Sequence, residues 1–134
     1  MTPPPKQTVE TLRWRNQELE MVDQRLLPHH IEFVPCATAA DVAQAIKDMV
    51  VRGAPAIGCA AAYGIALEAL QHRDADAAVF HAAMGPAFDR LAASRPTAVN
   101  LFWALSRMRS LIRHSAELST PDLADALLAL AHEI

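Results

Sequence analysis

The sequence predicts an α+β fold, a small antiparallel sheet at the N-terminal end followed by a helical bundle. Three observations predict it. Apolar residues alternate between about residues 11 and 35, and from residue 38 onward they recur at intervals of three and four. The stretch "GAPAIGCAAAYGIALEAL", residues 53–70, is built almost wholly from small side chains, which lets helices pack closely. At 134 residues the chain holds one domain with a real core, predicted over 9–134, after a Pro-rich, flexible 1–8.

In "TLRWRNQELEMVDQRLLPHHIEFVPC" Leu12 and Trp14 share one strand face, Leu19 and Met21 a second, Ile31 and Phe33 a third. Asn16-Gln17 supplies the first turn, and Pro28 separates the second strand from the third. The period changes at Thr38. Val42, Ala45, Ile46, Met49 and Val50 mark an amphipathic helix, opened by a capping box of Thr38 and Asp41 and closed by a left-handed Gly53. A second helix starts with Pro55 in its first turn and runs to about Leu70, small on nearly every side and so buried between neighbours.

A third helical stretch begins near Asp74, with Gly85-Pro86 expected to break or kink it. The fourth is expected to start at "SRPTAVNLFWALSRMRSLIRH", with Pro96 just inside. Thr120-Pro121-Asp122 opens the fifth, which reaches Ile134 without a closing Gly, Asn or basic turn and so reads as cut.

Composition excludes several classes. A net charge of −3 gives no basic stripe for nucleic acid. The longest uncharged run, Gly53 to Leu67, falls short of the ~20 residues that span a bilayer. The two cysteines, Cys36 and Cys59, form no CxxC pair, and the N-terminal residues lack a signal peptide's apolar core, so a cytoplasmic setting is expected.

The chemistry concentrates at two junctions of one design, Arg52-Gly53-Ala54-Pro55 and Ser94-Arg95-Pro96-Thr97. A helix N-terminus carries unpaired N–H groups and about half a positive charge. Phosphate binds there, glycine admits it closely, and arginine grips two oxygens at once. If the junctions converge, they form a pocket for a small phosphorylated molecule; either arginine alone reads more readily as a solvated helix-end residue, and it is the repetition of the design that brings the pocket level with that reading. Tyr63 and Asn100 are candidate supports for that pocket.

The remaining polar residues offer less. His29 and His30 point to opposite strand faces, and His72, His81, His114 and His132 have no ligand spacing, so neither metal nor cofactor is expected. Cys59 reads as a buried small residue, Trp103, Met108, Leu111 and Ile112 as core, and Arg107, Arg109 and Arg113 as a solvated face. No pair of groups suits acid–base or nucleophilic work, so no catalytic residue is assigned.

At "MVVRGAPAIGCAAAYGIAL" and "SRPTAVNLFWALSRM" the sequence resembles the methylthioribose-1-phosphate isomerases of methionine salvage. "TLRW" and "VDQRLLP" resemble the family's opening sheet. The resemblance implies substrate-binding roles for Arg52, Gly53, Ala54 and Arg95, a sugar-phosphate substrate, and a homodimer at full length. It also implies a larger Rossmann-like domain carrying a catalytic cysteine in a THCNTG-like motif and a later aspartate. Neither motif occurs here, so the chain is expected to be the family's N-terminal domain without that α/β domain. Two alternatives share versions of RGAPAIG: the regulatory subunits of a translation-initiation exchange factor and ribose 1,5-bisphosphate isomerases. RPTAVNL favours the methylthioribose enzyme.

Overall fold

In a computed structural model, residues 11–134 are described; the expectation for the Pro-rich start lies outside them. Strands β1 (Leu12–Arg15), β2 (Glu18–Val22) and β3 (Phe33–Cys36) form one antiparallel sheet in the order β1-β2-β3. Asn16 and Gln17 adopt φ of 52° and 64°, the left-handed pair that a two-residue hairpin with right-handed twist requires. The register sets Leu12 opposite Met21 and Trp14 opposite Leu19, and Leu19 in turn opposite Cys36. That face meets the helices. Arg13 and Glu20 pair on the other face, where the Arg13 guanidinium lies over the Phe33 ring. Ile31 does not share a strand face with Phe33: it precedes β3 and is exposed.

Five helices follow: α1 (Ala39–Lys47), α2 (Ala54–Gln71), α3 (Ala77–Ser94), α4 (Val99–Arg113) and α5 (Thr120–Glu133). Thr38 caps α1 by accepting from the Asp41 amide, while the Asp41 carboxylate reaches back to the Ala37 amide. Gly53 does not close this helix. Met49, at φ 65°, does: its amide donates to the Ile46 carbonyl and the Val50 amide to that of Ala45. This pair of bonds satisfies the orphan carbonyls of the last turn. Val50 and Val51 then run buried toward α2.

Helix α2 is the axis of the bundle, packed against α1, α3, α4 and α5. Its small residues allow this: Ala60, Ala61, Ala62, Ala66 and Ala69 are all fully enclosed, and no face is left to solvent along the middle of the helix. Gly85-Pro86 does not break α3, which is helical from Ala77 to Ser94 with Pro86 inside it. A proline removes one ladder bond, and here Phe80, Met84, Ala87, Phe88 and Leu91 on the same helix are buried, so packing outweighs the lost bond.

Helix α4 also starts later than the sequence suggests. Arg95 is the C-terminal cap of α3, Pro96 and Thr97 lie in the turn, and Ala98 is the N-cap of α4. Trp103 is not core: it is 53% exposed, whereas Leu101, Ala104, Leu105 and Met108 of the same helix are buried. Arg107 lies over the Trp103 ring and Arg109 over Phe88, so that arginine face covers aromatic surface as well as meeting solvent.

Candidate functional site

The mouths of α2 and α4 lie side by side. Gly58, in the second turn of α2, packs on the backbone of Asn100, the second residue of α4: an added Cβ would lie 3.0 Å from the Asn100 carbonyl oxygen. Pro55, Gly58 and Cys59 from α2 face Val99, Asn100 and Trp103 from α4 across an open cleft of about 380 Å³, with Ile134 at one side. Helix α2 contributes positions i, i+3 and i+4, and α4 positions i, i+1 and i+4, of their first two turns.

These two helices share a second property. Thr38, Asp76 and Ser119 cap α1, α3 and α5 with side-chain oxygens. The N-caps of α2 and α4 are Gly53 and Ala98, and neither offers a side-chain bond. First-turn amides have no intrahelical partner, so two uncapped positive ends stand together at one place on the surface. The uncapped state is possible because those ends meet solvent: Gly53, Ala54, Pro55, Pro96, Thr97 and Val99 are exposed.

Gly53 has φ 92°, a conformation closed to other residues at ordinary cost, although a Cβ there would meet nothing within 4 Å. Its glycine is thus required by the backbone, which turns from buried Val51 through exposed Arg52 into α2. Its carbonyl accepts from the Ile57 amide at 3.0 Å and starts the helix.

Arg52 is exposed just before the α2 cap, and half-buried Arg95 stands just before the turn into α4. The Arg95 carbonyl accepts from the Ala98 amide at 3.0 Å, which fixes that turn. Neither guanidinium pairs with a carboxylate among the described residues, and neither lines the cleft itself.

Asn100 stands on the cleft, as expected of a support. Tyr63 belongs elsewhere: its ring stacks on Trp14 at 5.5 Å, and its hydroxyl bonds His132 Nδ1 at 2.7 Å. His132 is therefore part of an aromatic cluster where β1, α2 and α5 meet, and His72 is tied to Glu68 at 3.2 Å. Cys59 had read as buried and is instead half-exposed on the cleft, with burial raising its thiol pKa. Cys36 is buried under the sheet, and burial, helped by Asp41 and Glu18, pushes its thiol up to about 12. Neither thiol is a ready nucleophile.

Among the described residues, no group of three or more His, Cys, Asp or Glu side chains is placed to hold a metal ion, and no helix is long and apolar enough to cross a membrane. No Asp, Glu or His side chain lines the cleft among the described residues. What the arrangement can do chemically is hold an anion at its rim and apolar or hydroxyl groups along its walls.

Residues 50–134 match the family model described as the initiation factor 2 subunit family. The chain is 58% identical over 126 residues to a methylthioribose-1-phosphate isomerase of Albidiferax ferrireducens, covering 94% of this chain and 36% of that protein. It is 48% identical to the corresponding isomerase of Caldanaerobacter subterraneus, with the same coverage of 94% and 36%. The chain thus spans about a third of the length of the curated relatives it matches. Among solved structures, a 5-methylthioribose 1-phosphate isomerase from Pyrococcus horikoshii superposes with a TM-score of 0.87 at 37% identity, covering 92% of this chain and 35% of that one. The delta subunit of the translation initiation factor eIF-2B from A. fulgidus superposes with a TM-score of 0.79 at 35% identity, covering 94% and 37%.

Proposed function

Because the chain belongs to the initiation factor 2 subunit family, we propose that it is the substrate-gripping N-terminal part of a methylthioribose-1-phosphate isomerase. The full protein would convert the aldose 5-methylthioribose 1-phosphate into the ketose 5-methylthioribulose 1-phosphate during methionine salvage, in the cytoplasm and as a homodimer. The observation that carries this reading is the pairing of the two helix N-termini that lack a side-chain cap, each preceded by an arginine with no carboxylate partner among the described residues. The identity of 58% to an isomerase of that name supports the choice of substrate.

In this reading the phosphate meets the first-turn amides of α2 and α4, with Arg52 and Arg95 as charged forks and Gly53 and Ala54 leaving room for its oxygens. Phosphate on C1 blocks simple opening to the free aldehyde, so a site must assist ring opening and then move hydrogen between C2 and C1. That step needs a positioned acid or base in a dry pocket. Arginines and helix ends orient the sugar and balance its charge, but they do not shuttle a proton. The catalytic cysteine and aspartate implied by the family resemblance would come from outside these residues.

Calorimetric titration of the chain with 5-methylthioribose 1-phosphate tests the reading. Binding is expected without turnover, and Arg52→Ala or Arg95→Ala should weaken it about 10–100-fold, the effect of losing one charge-assisted contact. Unchanged binding in both variants refutes the site, and turnover by this chain refutes the division of labour. The likeness to the eIF-2B delta subunit favours a second reading, a regulatory module with no turnover at any length. Isomerase assay of a longer protein carrying this chain separates the two.

A further inference from the structure

We propose that the groove between α1 and α3 is an accessory site for a hydroxylated phosphate monoester, with Lys47 and Arg90 holding the phosphate and Gln44 and Ser94 accepting from hydroxyl groups. It stands apart from the candidate substrate site. The groove and the cleft between α2 and α4 share no lining residue, and neither Arg52 nor Arg95 lines the groove.

Two same-face pairs build the groove. Gln44 and Lys47 stand at i and i+3 of α1, Arg90 and Ser94 at i and i+4 of α3, and the two helices pack together. Ala43 and Ala93 line it as well, and their small side chains leave a volume of about 300 Å³, the lower end of the size that takes a small ligand.

Both cations lack a partner. Neither Lys47 nor Arg90 forms an ion pair among the described residues, and no described Asp or Glu lines the groove. Lys47 ends α1, where an ammonium commonly serves the last carbonyls. Here the carbonyls of Gln44, Ala45 and Ile46 already accept from the amides of Asp48, Val50 and Met49. The Glu68 carboxylate, on an adjoining stretch that Arg90 also lines, is taken by the Ala39 amide and by His72, each at 3.2 Å. Two positive charges on one groove match a phosphate monoester, which carries about −1.5 to −2 at neutral pH. A carboxylate would balance only one of them.

The two neutral groups define the rest of the ligand. Ser94 is 8% exposed, and its hydroxyl donates to the Leu91 carbonyl at 2.6 Å, so toward the groove its oxygen can only accept. The Gln44 amide nitrogen donates to the Asp48 carboxylate at 2.9 Å, which leaves the carbonyl oxygen of that amide for a ligand. Acceptors beside a cation pair suit hydroxyl groups on the carbon chain that bears the phosphate. Free phosphate would satisfy the cations alone.

The test titrates glycerol 3-phosphate, with inorganic phosphate in parallel, into the isotopically labelled chain at constant ionic strength, followed amide by amide in NMR. The amides of Gln44, Lys47, Arg90 and Ser94 should shift along one saturable curve. Lys47→Gln and Arg90→Gln, both at exposed positions, should each raise its midpoint about tenfold, whereas Arg52→Ala should leave it within about twofold. Glycerol 3-phosphate should bind about threefold or more tighter than inorganic phosphate, and Ser94→Ala should remove that advantage. No saturable shift at the groove, or a midpoint unmoved by both cation variants, overturns the site. Equal binding of the two probes by the parent chain overturns the assignment to an ester. Shifts at Gly53 and Ala54 that respond to Arg52→Ala report the substrate junction separately, so either site can fail while the other stands.

Discussion

Gly58 and the carbonyl oxygen of Asn100 are in such close register that one added carbon would leave only 3.0 Å between them. The contact fixes how near the N-termini of α2 and α4 can come, and so fixes the geometry of the candidate site. A backbone carbonyl cannot swing aside as a side-chain tip does. Gly58→Ala should therefore lower the free energy of unfolding by up to about 2 kcal/mol, the overpacking cost of about 1–3 kcal/mol less the ~1 kcal/mol gained in helix propensity. Gly85→Ala is the control, since Gly85 lies inside α3 and a Cβ there meets nothing within 4 Å; it should gain the propensity term alone and stabilise by about 1 kcal/mol. Urea unfolding of the two variants reads the difference.

Met49 gives a prediction of opposite sign. It holds φ 65° at the end of α1 and is 41% exposed, so little packing opposes a replacement. Glycine adopts this conformation freely, at the cost of a more flexible unfolded chain. Met49→Gly should stabilise by about 0.5 kcal/mol, whereas the β-branched Met49→Val should lose about 1 kcal/mol. Thermal and urea unfolding measure both.

Asp23 makes stability depend on acid pH. Its carboxylate has a side-chain exposure of 6% and receives two bonds from the Arg25 guanidinium, at 2.9 and 2.8 Å, and one from the Arg25 amide at 3.0 Å. The side-chain bonds with Arg25 hold its pKa below the usual 3.8, against an opposing push from burial. A carboxyl depressed on folding contributes stability above its unfolded pKa and loses it as pH falls through the folded value. Asp23→Asn should thus be less stable than the parent at neutral pH, with the gap closing below about pH 3.8. Urea midpoints from pH 2 to 7 follow this; a gap that persists at the acid end would contradict it.

The buried helix was the most legible part of the fold. A run of Ala and Gly without charge has little alternative to close packing, and α2 is enclosed as that pattern requires. The Asn16-Gln17 hairpin was equally plain, because alternation on both sides leaves one place to turn. Errors came where one residue type serves two purposes. Pro96 imitates a helix-start proline but sits in the turn after α3, and Gly85-Pro86 imitates a break that buried Phe80, Met84 and Leu91 prevent. Met49 takes the left-handed position that had been given to Gly53, because Gly53 is needed one turn later to enter α2.

At the site, the arginines and the glycine were visible as an N-terminal pattern, but the cleft was not. Trp103 and Cys59 have the hydrophobicity of core residues, and only the placement of α4 beside α2 shows that they stand at a surface. The spacing Pro55, Gly58, Cys59 opposite Val99, Asn100, Trp103 was available as two short stripes. Nothing within either helix alone says that the stripes face each other. The Trp14–Tyr63–His132 cluster was hidden for the same reason, since its members come from three distant segments.

The most direct measurement is a crystal structure of the chain with 5-methylthioribose 1-phosphate bound. The phosphate should lie against the first-turn amides of both α2 and α4, with the guanidinium groups of Arg52 and Arg95 on its oxygens. A phosphate bound elsewhere, or two guanidinium groups turned to separate surfaces with the ligand in place, would contradict the account.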